Sequence, residues 1–165
     1  MARTRILKPW QLGWMLNWYP PLMLQRIRVD HVADDFCNIR MRAKRSLLNR
    51  NLNGTMFGGT IYAAADPIFP LMYWQALARR GLDLQTWLMA TDTRFKHPAA
   101  SDLLFDFKIT EVDLQEAETQ LRQRGKSVRT HQVLAIDVKG QVCAELELVS
   151  YLRLLRKGDQ EVAGF

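Results

Sequence analysis

Between Arg50 and Arg79 the chain carries a single ionised side chain, Asp66. The segment reads NLNGTMFGGTIYAAAD from Asn51 to Asp66 and runs directly into PIFPLMYWQAL. A stretch this apolar has to be covered on nearly every side. A carboxylate inside it is costly unless it is paired, hydrogen-bonded or protonated. The remainder of the sequence must therefore supply a cover, and Asp66 requires its own explanation.

The cover is legible as strands. Thr86–His97, Leu103–Val112, Arg129–Lys139 and Gln141–Leu155 alternate with a period of two. Leu103, Phe105, Phe107 and Ile109 share one face, opposite Leu104, Asp106, Lys108 and Thr110. Lys139–Gly140 suits a tight hairpin turn. Ile27–Asp34 and Phe36–Ala43 read as two further strands around an Asp34–Asp35 turn, with Phe36, Asn38, Arg40 and Arg42 sharing a face. Polar Lys44–Thr55 is a loop, and Leu114–Arg124 is either a short helix or a strand extension. Met56–Arg79 is the long helical candidate, stopped by Arg79, Arg80 and Gly81. Pro67 cannot donate to the carbonyl of Ala63, nor Pro70 to that of Asp66, so this helix must kink or restart.

These patterns predict an α+β chain in which a six-stranded, mostly antiparallel sheet wraps a long central helix. All 165 residues fit a single domain with no linker, its core spanning 27–155. Trp10, Trp14 and Trp18 recur every four residues and mark one face of an N-terminal helical extension, 9–25, bent at Pro20–Pro21. That helix either packs over an apolar surface, rests on a membrane interface or lines an acyl tunnel. The ends, Met1–Lys8 and Gly158–Phe165, are expected to be loose.

Charge and cysteine content narrow the function classes. With 23 basic and 17 acidic residues the formal charge is +6, concentrated in Arg3–Lys8, Arg40–Arg50 and Arg122–Arg129. The excess favours an anionic partner. No helix-turn-helix, zinc pattern or aromatic-basic strand motif supports a nucleic acid. Cys37 and Cys143 lie in apolar runs without a CxxC, which suits free thiols in a reducing, cytoplasmic compartment. His31, His97 and His131 lack metal-site spacing, so no metal is expected. Phe57–Leu77 is 21 residues long, but Asp66, Pro67, Pro70 and two glycines argue against stable membrane insertion. Trp10–Leu24 lacks the small-residue pattern of a signal peptide.

Three groups of residues could carry chemistry. Gly58–Gly59 stands where the long helix should begin, and first-turn N–H groups are a natural anion or oxyanion site. Asp66, two turns further on, is either a general base or nucleophile or else an N-cap for a helix starting at Pro67. Arg94 and Lys96, with Arg122, Arg124, Lys126 and Arg129, offer donors to phosphate, or else form a solvated face.

The chain resembles the hotdog-fold thioesterase-like superfamily, in particular its DUF4442 or YiiD C-terminal-like branch. The likeness covers roughly Ile27–Leu155. It is carried by Thr55-Met56-Phe57-Gly58-Gly59 and Ala65-Asp66-Pro67, with support from Arg94-Phe95-Lys96-His97-Pro98 and Gly125-Lys126. In the related phenylacetate-type thioesterases an asparagine precedes His-Gly-Gly and an acid on the central helix. That pattern falls on Asn51, Phe57, Gly58, Gly59 and Asp66. The resemblance implies that Asp66 attacks a thioester carbonyl or activates water, and that the Gly59 N–H binds the developing oxyanion. It also implies that the acid and the glycine come from different subunits, so the expected assembly is a dimer or a tetramer built from dimers. Phe57 departs from the pattern by standing in the histidine place.

The expected function is hydrolysis of an acyl thioester of coenzyme A or acyl carrier protein, with coenzyme A entering only as part of the substrate. Asn51 would position the thioester or water. Phe57, Gly58, Ile61 and Trp14 would line the acyl site, and Arg94, Lys96, Arg124 and Lys126 would meet phosphates. The alternative is a non-catalytic acyl-CoA or fatty-acyl binding protein. A dehydratase or acyltransferase would require His97 or His131 beside Asp66.

Overall fold

A computed structural model describes residues 5–155. In chain order its elements are α1 (Pro9–Asn17), α2 (Pro20–Met23), β1 (Ile27–Val32), β2 (Asn38–Ala43), α3 (Gly58–Ala65), α4 (Ile68–Ala78), β3 (Leu84–Phe95), β4 (Leu103–Lys108), α5 (Glu111–Arg124), β5 (Lys126–Asp137) and β6 (Val142–Leu154). The six strands form one antiparallel sheet in the order β1-β2-β4-β5-β6-β3. This is the α+β hotdog architecture, with the sheet wrapped around a central helix.

The central helix is divided where the prolines require it. α3 stops at Ala65, Asp66 and Pro67 keep right-handed helical dihedrals, and α4 starts at Ile68. The ladder resumes with the Leu71 N–H donating to the Pro67 carbonyl at 3.1 Å. Thr86 Oγ1 donates to the Pro70 carbonyl at 3.1 Å, tying the break to β3. α4 has no polar side: nine of its eleven residues are buried. Its bed is the inner sheet face, where Ile39, Met41, Ala43, Leu103, Phe105, Phe107, Leu146, Leu148 and Leu152 are all buried.

α5 resolves the open choice over Leu114–Arg124 in favour of a helix. Thr110 Oγ1 accepts from the Asp113 N–H at 3.1 Å while Asp113 accepts from the Thr110 N–H at 2.8 Å, a reciprocal capping box. Gly125, at φ 72°, ends the helix in the left-handed region. Leu114, Ala117 and Leu121 are its buried stripe. Beneath it lies a polar cluster. Arg129 pairs with Asp113 at 3.0 Å and Glu116 at 2.8 Å, and its guanidinium also lies beside the Tyr73 hydroxyl. A guanidinium has only donors, so the phenol hydrogen is left for His131 Nε2, 2.7 Å away. The His131 ring stacks on Phe69 at 4.7 Å. Burial holds this imidazole below its ordinary pKa; Arg129 acts in the same direction and Asp113 opposes both.

Several expectations are corrected. Arg5–Lys8 is not loose: the Leu7 N–H donates to Gln75 Oε1 at 2.8 Å, and Gln75 Nε2 returns a bond to the Arg5 carbonyl at 3.3 Å. Residues 1–4 and 156–165, which include the expected loose end Gly158–Phe165, lie outside the described residues. Phe36 does not share the polar strand face, because β2 begins only at Asn38. Phe36 closes the preceding turn at φ 61°, fully buried, with the Arg79 guanidinium 4.5 Å above its ring. The Trp face of α1 does not pack on the protein either; the helix is anchored by Leu12 and Leu16, and Trp10, Trp14 and Trp18 point outward.

Phe69, fully buried and edge-on to Phe107 at 5.3 Å, should cost about 3–5 kcal/mol in urea denaturation when replaced by alanine. His131 gives a pH signature. As pH falls below about 6.5 the unfolded chain takes up a proton that the folded imidazole refuses, so stability drops toward the lowered folded pKa. His131→Gln should flatten that limb; an unaltered slope would mean that the ring titrates as if in water.

Candidate functional site

The residues at the start of α3 are placed by backbone bonds. The Phe57 N–H donates to the Asn49 carbonyl at 2.7 Å, and the Met56 N–H to that of Ala99 at 2.8 Å. The first bond into the helix runs from the Thr60 N–H to the Phe57 carbonyl at 2.9 Å. The N–H groups of Gly58 and Gly59 have no acceptor among the described residues, as the geometry of a helix start requires. Two aromatic rings crowd them. A Cβ on Gly59 would sit 2.3 Å from the Phe57 ring, and one on Gly58 would sit 3.0 Å from the Phe95 ring. Both rings remain more than half exposed, at 57% and 58%. A side chain at either glycine would thus have to displace a ring, and the free amides lie beside apolar surface.

Asp66 lies seven residues beyond Gly59, on the same side of α3. Tyr62, one turn before it, is also exposed, whereas Ile61, Ala64 and Ala65 are buried. The Asp66 carboxylate reaches solvent and makes no hydrogen bond or ion pair among the described residues. It caps nothing: the start of α4 has no side-chain cap. Partial burial raises its pKa above the ordinary value. Seven residues of helix span about 10 Å, too far for one carbonyl group to meet both the carboxylate and the Gly59 N–H of one chain.

The other sequence candidates divide. Asn51 is engaged within its own loop. Its Oδ1 accepts from the N–H groups of Asn53 at 3.0 Å and Thr55 at 3.1 Å, and its Nδ2 donates to Thr55 Oγ1 at 2.9 Å. It shapes the approach to Phe57. Ile61 belongs to the core, at 2% exposure. Trp14 sits on α1 over β1, at the sheet edge opposite β3. Arg94 and Lys96 are ion-paired, with Asp92 at 3.5 Å and Glu145 at 3.1 Å. Strand alternation turns Arg94 away from the face on which Phe95 covers Gly58. A shallow groove of about 240 Å³ on that outer face is lined by Asp92, Arg94, Glu145 and Glu147, and its acids do not suit phosphate.

Arg124 and Lys126 lie at the far end of the sheet. Lys126 registers with Arg153, and Phe95 with Ala144. The nine residues of β6 between those partners amount to about 30 Å. Of the remaining basic cluster, Arg122 is paired with Glu118 at 2.7 Å and Arg129 with two acids. Neither histidine candidate adjoins Asp66 by any recorded contact: His131 is held by Tyr73 and Phe69, and His97 is exposed beyond the end of β3. Two neighbours of the site were missed from sequence. Tyr62 was readable from its helical spacing to Asp66; Phe95 was not, because only tertiary structure brings it to Gly58.

The DUF4442 family, described as a domain of unknown function, matches residues 10–152. The chain belongs to this family. No curated protein matches it. Solved structures agree on the hotdog fold. A protein of unknown function from Pseudomonas aeruginosa, called a probable thioesterase, is 19% identical over 92% of this chain and 100% of its own, with a TM-score of 0.78. A thioesterase from Haemophilus influenzae is 14% identical over 96% and 100%, with a TM-score of 0.65. The PaaI protein of the phenylacetic acid degradation operon of E. coli is 14% identical over 89% and 93%, with a TM-score of 0.61.

The absence of a cap makes a clear prediction. If Asp66 started α4, Asp66→Ala would cost about 1 kcal/mol. An unpaired, partly desolvated carboxylate instead opposes folding when charged, and this penalty fades as pH falls through its raised pKa. Asp66→Ala should therefore match or slightly exceed the wild type in urea midpoint at neutral pH, and lose that advantage in acid.

Proposed function

We propose that two copies of this chain pair through β3 and hydrolyse an acyl thioester of coenzyme A or acyl carrier protein between them. The carrying observation is the exposed, unpartnered Asp66 carboxylate on the same helical stripe as the two free glycine N–H groups. Those groups are too far apart to serve one carbonyl within a chain, so the reading assigns them to opposite copies. β3 is a twelve-residue edge strand that carries exposed Trp87, Met89 and Phe95, and an edge of that length invites pairing. Antiparallel pairing would reverse the second copy and carry its Arg124–Lys126 end toward the first copy's Phe95 end.

In this reading the thioester oxygen accepts from the Gly59 N–H of one copy. The Asp66 carboxylate of the other removes a proton from water as the hydroxyl oxygen bonds to the carbonyl carbon. Collapse of the tetrahedral intermediate breaks the carbon–sulfur bond, and the thiolate leaves and takes up a proton. Direct attack by the carboxylate gives an anhydride that water then cleaves, with the same products. The thioesterase names of structural relatives lend support at the level of the fold.

A silent acyl-thioester binder is the second reading, favoured by the Phe57 ring lying against Gly59. Thiol release from a series of acyl-coenzyme A substrates decides between them. Hydrolysis predicts turnover by the wild type and a loss of about 10²–10⁴-fold in Asp66→Asn, the usual range for a general base. Saturable binding without release at every chain length would overturn hydrolysis and leave the binder.

A further inference from the structure

The N-terminal helices leave their aromatic side uncovered. α1 is fixed to the protein by Leu12 and Leu16 and lies over β1. On the other side Trp10, Trp14 and Trp18 are 66%, 63% and 62% exposed. Ile6, Met23 and Leu24 are also exposed. Three tryptophans on one face, all open, are not explained by the core.

The charge pattern of the same segment is one-signed. Residues 1–29 hold Arg3, Arg5, Lys8, Arg26 and Arg28 and no carboxylate; the first acid is Asp30. Arg5, Lys8, Arg26 and Arg28 are exposed and have no ion pair among the described residues. Elsewhere carboxylates are interspersed and several cations are paired: Arg42 with Asp30, Arg80 with Glu111, Lys96 with Glu145 and Arg129 with Asp113.

We propose that the Trp10–Trp14–Trp18 face of α1, with Arg5 and Lys8 at its amino end, docks on the anionic surface of a lipid bilayer. Indole rings combine an apolar body with a polar N–H and favour the membrane–water boundary. Neighbouring cations add attraction to anionic headgroups. The nine residues of α1 span about 14 Å, far short of the roughly 30 Å hydrocarbon layer, so the helix lies in the interface and does not cross it. A second copy meeting this face through its own would bring like charges together, which disfavours that occupant. The inference is independent of the chemistry at Asp66.

Co-sedimentation of the full chain with vesicles tests it, using phosphatidylcholine alone and phosphatidylcholine mixed with phosphatidylglycerol. The protein should pellet with the anionic vesicles, stay largely in solution with the neutral ones, and be released by high salt. Arg5→Gln with Lys8→Gln should lower the partition coefficient roughly 30-fold, about 5-fold per cation. Trp10→Glu with Trp18→Glu should abolish pelleting while leaving circular dichroism and the urea midpoint unchanged, since both rings are exposed. Equal binding to both vesicle types, no binding to either, or full binding by the tryptophan pair would overturn the proposal. So would a wild type that ignores vesicles while the tryptophan pair shows a lower mass by light scattering, which would assign the face to a subunit contact.

Discussion

Burial of α4 is the interaction on which the rest of the structure depends. Ile68–Ala78 offers no polar side, so it is stable only when enclosed. The inner sheet face provides one wall, α5 lies nearby, and Arg5–Leu7 is clasped to the helix through Gln75. Even the polar groups that reach α4 are enclosed. Tyr73, His131 and Arg129 form a bonded chain that satisfies the phenol and the imidazole Nε2 beneath α5. Removing one link would leave a buried polar atom unmet, which costs more than the bond itself contributes.

The same helix determines where a carboxylate can stand. Pro67 and Pro70 interrupt the ladder, and the chain continues through Asp66 and Pro67 in helical geometry without a cap. Asp66 is thereby carried at the end of α3 on the stripe that the sheet does not cover. No side chain compensates it, so its raised pKa is a cost the fold does not recover from its own contacts. Such uncompensated groups are characteristic of sites where function, not stability, sets the residue. The β3 edge is unfinished in a similar sense, being long, open on its outer side and carrying exposed Trp87, Met89 and Phe95.

Much of this was legible from residue order because the signals are local. Period-two alternation gave the strands, Lys139–Gly140 the final hairpin, and the two prolines the broken helix. Ambiguity was confined to segments where local signals conflict: Leu114–Arg124 needed the Thr110 capping box and Gly125 to declare itself a helix, and Phe36 looked like strand until its turn required a positive φ. The site was legible only in part. Gly58, Gly59, Tyr62 and Asp66 follow from helical spacing, but Phe95 over Gly58 is a tertiary contact with no local trace. Two of the four phosphate candidates, Arg94 and Lys96, stand in ion pairs that residue order does not announce. Basic character can be read from sequence, whereas pairing of Arg94, Lys96, Arg122 and Arg129 with acids depends on register and helix packing.

Phe57 concentrates the chemical question. A histidine at this place could carry a proton; a phenyl ring cannot. With no imidazole held beside Asp66 by any recorded contact, the proposed hydrolysis leaves proton transfer to the carboxylate alone. A carboxylate in water is a weak base, and partial desolvation makes Asp66 a stronger one by raising its pKa. The rings of Phe57 and Phe95 act on the other half of the reaction. By setting apolar surface beside the Gly58–Gly59 amides they lower the local polarity, which strengthens the pull of those dipoles on a developing oxyanion. Phe57 thus stands where a proton carrier would, and its effect on rate depends on whether its ring yields its place against Gly59 to a thioester.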